Sequence, residues 1–147
     1  MTSSSLNILI IEDADIIVNQ LQILLTDQNS TNTIRSANSA ELGLELVGQS
    51  FPDVFILDIK LPGISGIELL SKIKQDYPMA SPLIIVLTKM PHSIYKHACL
   101  NKGANFFLDK SRDFLVLPEI LDSYFIKNEI RNLKFNPPNS SLCNSPM

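Results

Sequence analysis

Five short apolar runs alternate along the chain with segments whose apolar residues recur at helical spacing. The runs cover residues 6–11, 33–37, 54–57, 83–87 and 105–108. Their lengths and their Val, Ile and Leu content are typical of strands, and most lack the alternating pattern of a strand with one wet face. Amphipathic helices are predicted over residues 15–27, from a cap at Asn38 or Ser39 to Gly48, around 67–76, over 93–102, and from Pro118 onward. This alternation predicts an α/β fold, a doubly wound five-stranded parallel sheet with helices on both faces.

The third run ends abruptly on a carboxylate. Residues 54–57 are followed by Asp58 and then by a turn rich in Pro and Gly, ending at Gly66. The carboxyl ends of parallel strands open into the crevice where ligands bind in such sheets. We therefore expect Asp58 to point into a functional site.

Other polar residues follow the neighbouring strands. Glu12 and Asp13 come after the first, Thr88 ends the fourth, and Lys110 follows the fifth. Each has an ordinary structural role when taken singly, as a turn residue, a solvated lysine or a helix-capping acid. Together they place three carboxylates, a hydroxyl and an ammonium group at one edge of the sheet.

Clustered carboxylates repel one another unless a cation intervenes. Mg²⁺ prefers such oxygen ligands and binds one or two carboxylates together with phosphate and water. A carboxylate can also accept a phosphoryl group as an aspartyl phosphate. The inventory therefore predicts a Mg²⁺-dependent phosphoryl-transfer site with Asp58 as the nucleophile.

Composition narrows the class of protein. The chain has 147 residues, with 12 Lys and Arg against 15 Asp and Glu, a net charge of −3 that gives no footprint for nucleic acid. Two cysteines make no disulfide framework, and no apolar stretch has the length of a membrane span. Residues 1–5 do not resemble a signal peptide. We expect a cytoplasmic protein with a disordered N-terminus (1–5), one domain (6–130) and a disordered tail (131–147).

The site residues resemble those of a response-regulator receiver domain. The resemblance covers roughly residues 6 to 128 and rests on Glu12-Asp13, Asp58 with Leu61-Pro62 and Gly66 behind it, Thr88 and Lys110. It implies the flavodoxin-like strand order 2-1-3-4-5. It further implies a stand-alone signalling phosphoacceptor of a two-component phosphorelay, not an enzyme. Asp58 would accept its phosphoryl group from a histidine kinase or a histidine phosphotransfer protein.

The same resemblance assigns roles to individual residues. Asp13, Asp58 and the backbone carbonyl of Lys60 would bind Mg²⁺, and Glu12 would support the ion through water. Thr88 and Lys110 would hold the phosphoryl oxygens. Phe107 would be a switch aromatic, although it also suits a plain core position beside Phe106. With no output domain expected, the signal would pass through protein–protein contacts.

Two residues depart from the family's pattern. Lys89 follows Thr88, where a small residue is usual, and would either add charge to the site or shade it. Ser111 follows Lys110, where a proline is common. Because a cis bond before a non-proline residue costs about 2.5–4 kcal/mol, we expect a trans peptide there.

Three alternative functions are open from the residues. A phosphatase of the haloacid-dehalogenase type should have a second Asp where Lys60 stands. A flavodoxin-like cofactor binder should have a loop after the first strand that donates amides to phosphate, whereas Glu12, Asp13 and Asp15 would repel it. A degenerate receiver, serving as an unphosphorylated interaction module, would not need Asp58.

Overall fold

The structure, a computed structural model, describes residues 5–90 and 92–135. Its strands and helices alternate as follows: β1 (Asn7–Ile11), α1 (Asp15–Gln28), β2 (Thr33–Ala37), α2 (Ala40–Gln49), β3 (Val54–Leu57), α3 (Gly66–Asp76), β4 (Leu83–Thr88), α4 (Ser93–Asn101), β5 (Phe106–Asp109) and α5 (Leu117–Phe135). The strands form one parallel sheet in the order β2-β1-β3-β4-β5. The predicted doubly wound fold and its strand order are confirmed.

Alternate residues of each central strand pack on opposite faces of the sheet. In β3, Phe55 and Leu57 join the core cluster beneath α2, α3 and α4, whereas Val54 and Ile56 join the cluster beneath α1 and α5. All four are at most 1% exposed. A strand covered on both faces has no polar position of its own, which is why residues 54–57 form an unbroken apolar run.

The turn between β3 and α3 has a well-defined end. Ser65 and Glu68 form a reciprocal capping box, in which the Glu68 N–H donates to Ser65 Oγ and the Ser65 N–H donates to Glu68 Oε1, both at 3.2 Å. Gly66 begins the helix, and its N–H donates to the carbonyl of Ile59 at 2.8 Å. These bonds close the turn directly behind Asp58.

Several predicted boundaries differ from those of the structure by about one residue, and two of the differences have a visible cause. Gly48 does not end α2, which continues to Gln49 and has open space around Gly48. Pro118 is the second residue of α5, not the first, because a short 3₁₀ helix (Phe114–Val116) leads into Leu117. That leucine is fully buried, so packing sets where α5 begins.

The last helix reaches further than predicted. Residues 131–135, which the sequence placed in the tail, are helical, and residues 1–4 and 136–147 lie outside the described part of the chain. Within residues 5–90 and 92–135 no helix, the 19-residue α5 included, is both long and apolar enough to cross a membrane.

Candidate functional site

Backbone hydrogen bonds of the sheet continue one residue beyond three of its strands. The N–H of Glu12 donates to Ala37 at 2.9 Å, that of Asp58 to Ile11 at 3.1 Å, and that of Lys110 to Thr88 at 2.8 Å. The main chain at Glu12, Asp58 and Lys110 is therefore fixed by the sheet itself. Their side chains converge at its carboxyl edge, as the sequence predicted.

Three carboxylates meet at this edge. One oxygen from each of Glu12, Asp13 and Asp58 lies within 4.8 Å of the other two. Glu12 and Asp58 are buried, at 5% and 7% exposure, and Asp13 is open to solvent. This arrangement combines two carboxylates desolvated by the protein with one on the approach to the site.

Lys110 neutralises part of this charge. Its Nζ donates to Glu12 Oε1 at 2.6 Å and to Asp58 Oδ2 at 2.8 Å. Lys110 as a whole is buried, with 7% of its surface exposed. Burial alone would lower the pKa of Lys110, but the hydrogen bonds to Asp58 and Glu12 outweigh burial and raise it. Lys110 is therefore protonated at neutral pH.

The surroundings of Glu12 disfavour its ionised form. Burial raises the pKa of Glu12, although hydrogen bonds from Lys110 and from the N–H of Ala14 act in the opposite direction. When all three carboxylates are ionised, one ammonium group leaves two negative charges uncompensated. An all-oxygen donor set with this charge fits a divalent hard cation such as Mg²⁺.

A cleft of about 390 Å³ opens onto these groups. The buried Asp58 side chain lines it, with Oδ1 accepting a hydrogen bond from the Ile59 N–H at 2.7 Å. Lys60 and Lys89, both exposed, line the cleft as well. Its full lining is Glu12, Asp13, Ala14, Asp58, Lys60, Leu61, Pro62, Lys89 and Lys110.

Two predicted residues stand outside this lining. Thr88 is fully buried, and its Oγ accepts a hydrogen bond from the Met90 N–H at 3.1 Å. Phe107 is half-buried and packs, like Tyr95, against the core cluster beneath α2, α3 and α4. The structure thus brings Glu12, Asp13, Asp58 and Lys110 together, whereas Thr88 and Phe107 do not line the cleft.

The loop after β5 contains contacts that the sequence reasoning did not identify. The Lys110–Ser111 peptide is trans, as expected, since residues 5–90 and 92–135 contain no cis peptide bond. Asp109 Oδ1 accepts hydrogen bonds from the N–H of Ser111 at 2.9 Å and from its Oγ at 2.7 Å. The signal was present in the sequence as Asp109-Lys110-Ser111, an Asp two residues before a Ser, which is a turn pattern.

Comparisons with known proteins identify the family. The response regulator receiver domain family matches residues 8–122. The transcriptional regulatory protein AfsQ1 of Streptomyces coelicolor is 35% identical over 104 residues, which are 71% of this chain and 44% of that protein. The chain spans about half the length of the first curated relatives it matches.

Solved structures agree on the fold. The CheY-like response regulator receiver domain protein from Methanospirillum hungatei has a TM-score of 0.77 and 26% identity, covering 87% of this chain and 99% of that one. The Mn²⁺-bound form of the response regulator Rcp1 has a TM-score of 0.72 at 22% identity, covering 82% of this chain and 94% of that one.

The family match covers most of the chain, and the sheet order and the acidic cluster agree with it. Receiver domains are signalling phosphoacceptors and not enzymes, and they work with histidine kinases. The chain belongs to the response regulator receiver domain family of two-component signalling.

Proposed function

We propose that this receiver domain accepts a phosphoryl group on Asp58, in a Mg²⁺-dependent reaction, from the phosphohistidine of a histidine kinase or a histidine phosphotransfer protein. It then signals through protein–protein contacts in the cytoplasm. The observation that carries the proposal is the position of Asp58. Its carboxylate lines the cleft, accepts a hydrogen bond from the protonated Lys110 at 2.8 Å and has an oxygen within 4.8 Å of oxygens of two further carboxylates.

Asp13, Asp58 and the carbonyl of Lys60 would hold the metal ion, with Glu12 supporting it through water. Bound there, Mg²⁺ would supply charge neutralisation between the carboxylates and the incoming phosphoryl group. The donor set supports this assignment, because its three carboxylate oxygens lie within 4.8 Å of one another.

In the transfer step, a carboxylate oxygen of Asp58 forms a bond to phosphorus while the P–N bond of phosphohistidine breaks. The electron pair of that bond leaves with the imidazole nitrogen. Phosphoryl transfer depends mainly on positioning and on charge stabilisation, not on covalent chemistry by other side chains. Lys110 supplies one positive charge 2.8 Å from Asp58 Oδ2. From this position its ammonium group would stabilise the negative charge on the oxygens of the transferred phosphoryl group.

Thr88 and Phe107 would report the phosphorylated state. The Thr88 hydroxyl uses its oxygen to accept from Met90, so its proton is not spent in that bond and can be donated to a phosphoryl oxygen. Thr88 follows Ile84 and Val86 on the same face of β4, and those two residues belong to the cluster against which Phe107 packs, so movement of Thr88 would open space next to that cluster. The half-buried Phe107 ring could then move between an outward and an inward position, which would make it a two-state element.

The test is intact-mass measurement after incubation with acetyl phosphate, with Mg²⁺ and with EDTA in its place. The wild-type chain should gain one phosphoryl group only with Mg²⁺, and Asp58→Asn should gain none. Asp53→Asn is the matched control, because Asp53 lies before the other end of β3 and accepts a hydrogen bond from the Asn7 N–H, which an amide oxygen can also do. Labelling of Asp58→Asn would overturn the assignment.

A further inference from the structure

The segment from Asp109 to Asp113 is held by hydrogen bonds within itself. Asp113 Oδ2 accepts from the Asp109 N–H at 2.9 Å, and the carbonyl of Asp109 accepts from the N–H groups of Arg112 at 3.1 Å and Asp113 at 2.8 Å. Asp109 Oδ1 accepts both donors of Ser111. One residue, Asp109, thus takes part in every one of these five bonds.

Lys110 lies in the chain between Asp109 and Ser111, which are joined by two of these bonds. On one side its N–H is tied to Thr88 by the last bond of the β4–β5 ladder. On the other side the next amide, that of Ser111, is tied to the Asp109 side chain at 2.9 Å. Both peptide planes flanking the Cα of Lys110 are therefore fixed, and the direction of its side chain is fixed with them.

The long lysine side chain amplifies any error in that direction. Its Nζ must reach Glu12 and Asp58, which are 98 and 52 residues away in the chain, at 2.6 and 2.8 Å. A misplacement of about 1 Å at a reacting group can cost on the order of 100-fold in rate.

We propose that Asp109 and Ser111 are positioning residues for phosphoryl transfer, holding the backbone that aims Lys110 at Asp58. The inference rests on the proposed function of Asp58. It requires an acceptor at position 109 and both donors of Ser111, its N–H and its hydroxyl; alanine would lack the hydroxyl, and proline would lack both.

Neither side chain is placed to serve the core. Ser111 is exposed and Asp109 only half-buried, and neither belongs to a core cluster of the described residues. The pKa of Asp109 lies below its usual range because the hydroxyl and the N–H of Ser111 both donate to its carboxylate. Losing these bonds should therefore disturb Lys110 more than it disturbs folding.

The test compares Asp109→Ala, which removes the acceptor, with Asp109→Asn, which keeps an acceptor oxygen. Phosphoryl uptake from acetyl phosphate with saturating Mg²⁺ should slow at least about tenfold in Asp109→Ala, within the loss expected for a misplaced group. Asp109→Asn should remain close to wild type. Asp76→Ala, an exposed carboxylate at the far end of α3, is the control and should not change the rate.

The Mg²⁺ affinity of Asp109→Ala, measured by calorimetric titration, distinguishes displacement of Lys110 from a general loosening of the site. Lys110 occupies oxygens of Glu12 and Asp58 that a cation would use, so its displacement should leave Mg²⁺ affinity unchanged or raise it. Damage to the acidic cluster as a whole would lower it. Reduced Mg²⁺ affinity in Asp109→Ala would overturn the inference.

Equal rates of phosphoryl uptake in wild type and Asp109→Ala would also overturn the inference, while leaving the proposed function intact. The same holds if Asp109→Ala and Asp109→Asn take up the phosphoryl group equally slowly. A wild-type chain that takes up no phosphoryl group would overturn the proposed function, and this inference with it. If Asp109→Ala fails to fold by circular dichroism, Ser111→Ala decides. It loses only the 2.7 Å hydroxyl bond, and uptake as fast as wild type would count against the proposal.

Discussion

Replacing Gly66 by alanine should disrupt the turn that carries Asp58. A Cβ at position 66 would collide with the carbonyl oxygen of Asp58 and would lie 2.9 Å from the Leu57 Cδ1 atom. The first of these atoms belongs to the backbone, which cannot move aside by changing a rotamer. Either α3 must retreat from the turn or the Asp58 peptide must rotate.

Both adjustments have a cost that can be bounded. Forcing an extra carbon into a packed site typically costs about 1–3 kcal/mol of folding free energy, and a backbone clash argues for the upper part of that range. Retreat of α3 would also weaken the bond of 2.8 Å from the Gly66 N–H to Ile59. Because Asp58 moves with its peptide, its rate of phosphorylation should fall by roughly 10- to 100-fold.

Urea denaturation measures the first effect and the time course of intact mass with acetyl phosphate measures the second. Gly48→Ala is the matched control, because nothing lies within 4 Å of a Cβ there and the residue is inside α2. That change should stabilise the fold by about 0.5–1 kcal/mol through helix propensity. A Gly66→Ala variant with wild-type stability and rate would refute the reasoning.

Three further predictions concern charge and burial. Asp13→Ala should abolish Mg²⁺ binding in calorimetry while the melting temperature without metal holds or rises, since it relieves repulsion between carboxylates; a clear fall would mean that Asp13 is structural. Cys99 is fully buried, and burial raises its pKa to about 11. In a Cys143→Ser variant, where Cys99 is the remaining cysteine, a thiol reagent should therefore react slowly with the folded protein at pH 8 and completely in urea. Fast reaction of the folded protein would contradict the packing of α4. Lys89→Ala should speed loss of phosphoryl from Asp58 in a decay assay followed by mass, because Lys89 lines the cleft; an equal or longer lifetime would show that it is an ordinary solvated lysine.

The fold could be predicted because its signals are strong and repeated. Strand β3 was predicted with its correct bounds, since four consecutive apolar residues that end at Asp58 and a turn are typical of a strand buried within a parallel sheet. The same logic brought Glu12, Asp13 and Lys110 to one edge, because the ends of parallel strands must meet there. The structure then places their charged atoms within hydrogen-bonding and ligand distances.

Local signals were weaker guides. Gly48 looked like a helix end, but with nothing packed near it the helix continues one residue, and the N–H of Ser50 donates to Leu46. Pro118 looked like a first helical residue, but burial of Leu117 sets the start of α5 one residue earlier. In both places tertiary packing decided between nearly equivalent boundaries.

The spacing of the family's site residues does not identify the contacts around Lys110, although Asp109-Lys110-Ser111 is itself a turn pattern. Motif separations locate Lys110 itself, whereas the bonds between Asp109 and Ser111 depend on the rotamers of both side chains and on a trans peptide. The burial of Thr88 and its bond to Met90 were equally invisible, because they depend on how the chain turns after β4.

The central claim is that Asp58 carries the phosphoryl group as an acyl phosphate, and the chemistry of that bond tests it most directly. After labelling with acetyl phosphate and Mg²⁺, the chain is treated with neutral hydroxylamine and digested, and the peptide containing Asp58 is sequenced by mass spectrometry. An acyl phosphate should be lost and replaced by a hydroxamate at Asp58 and at no other residue. A label that resists hydroxylamine, or a hydroxamate at Glu12 or Asp13 in its place, would contradict the account.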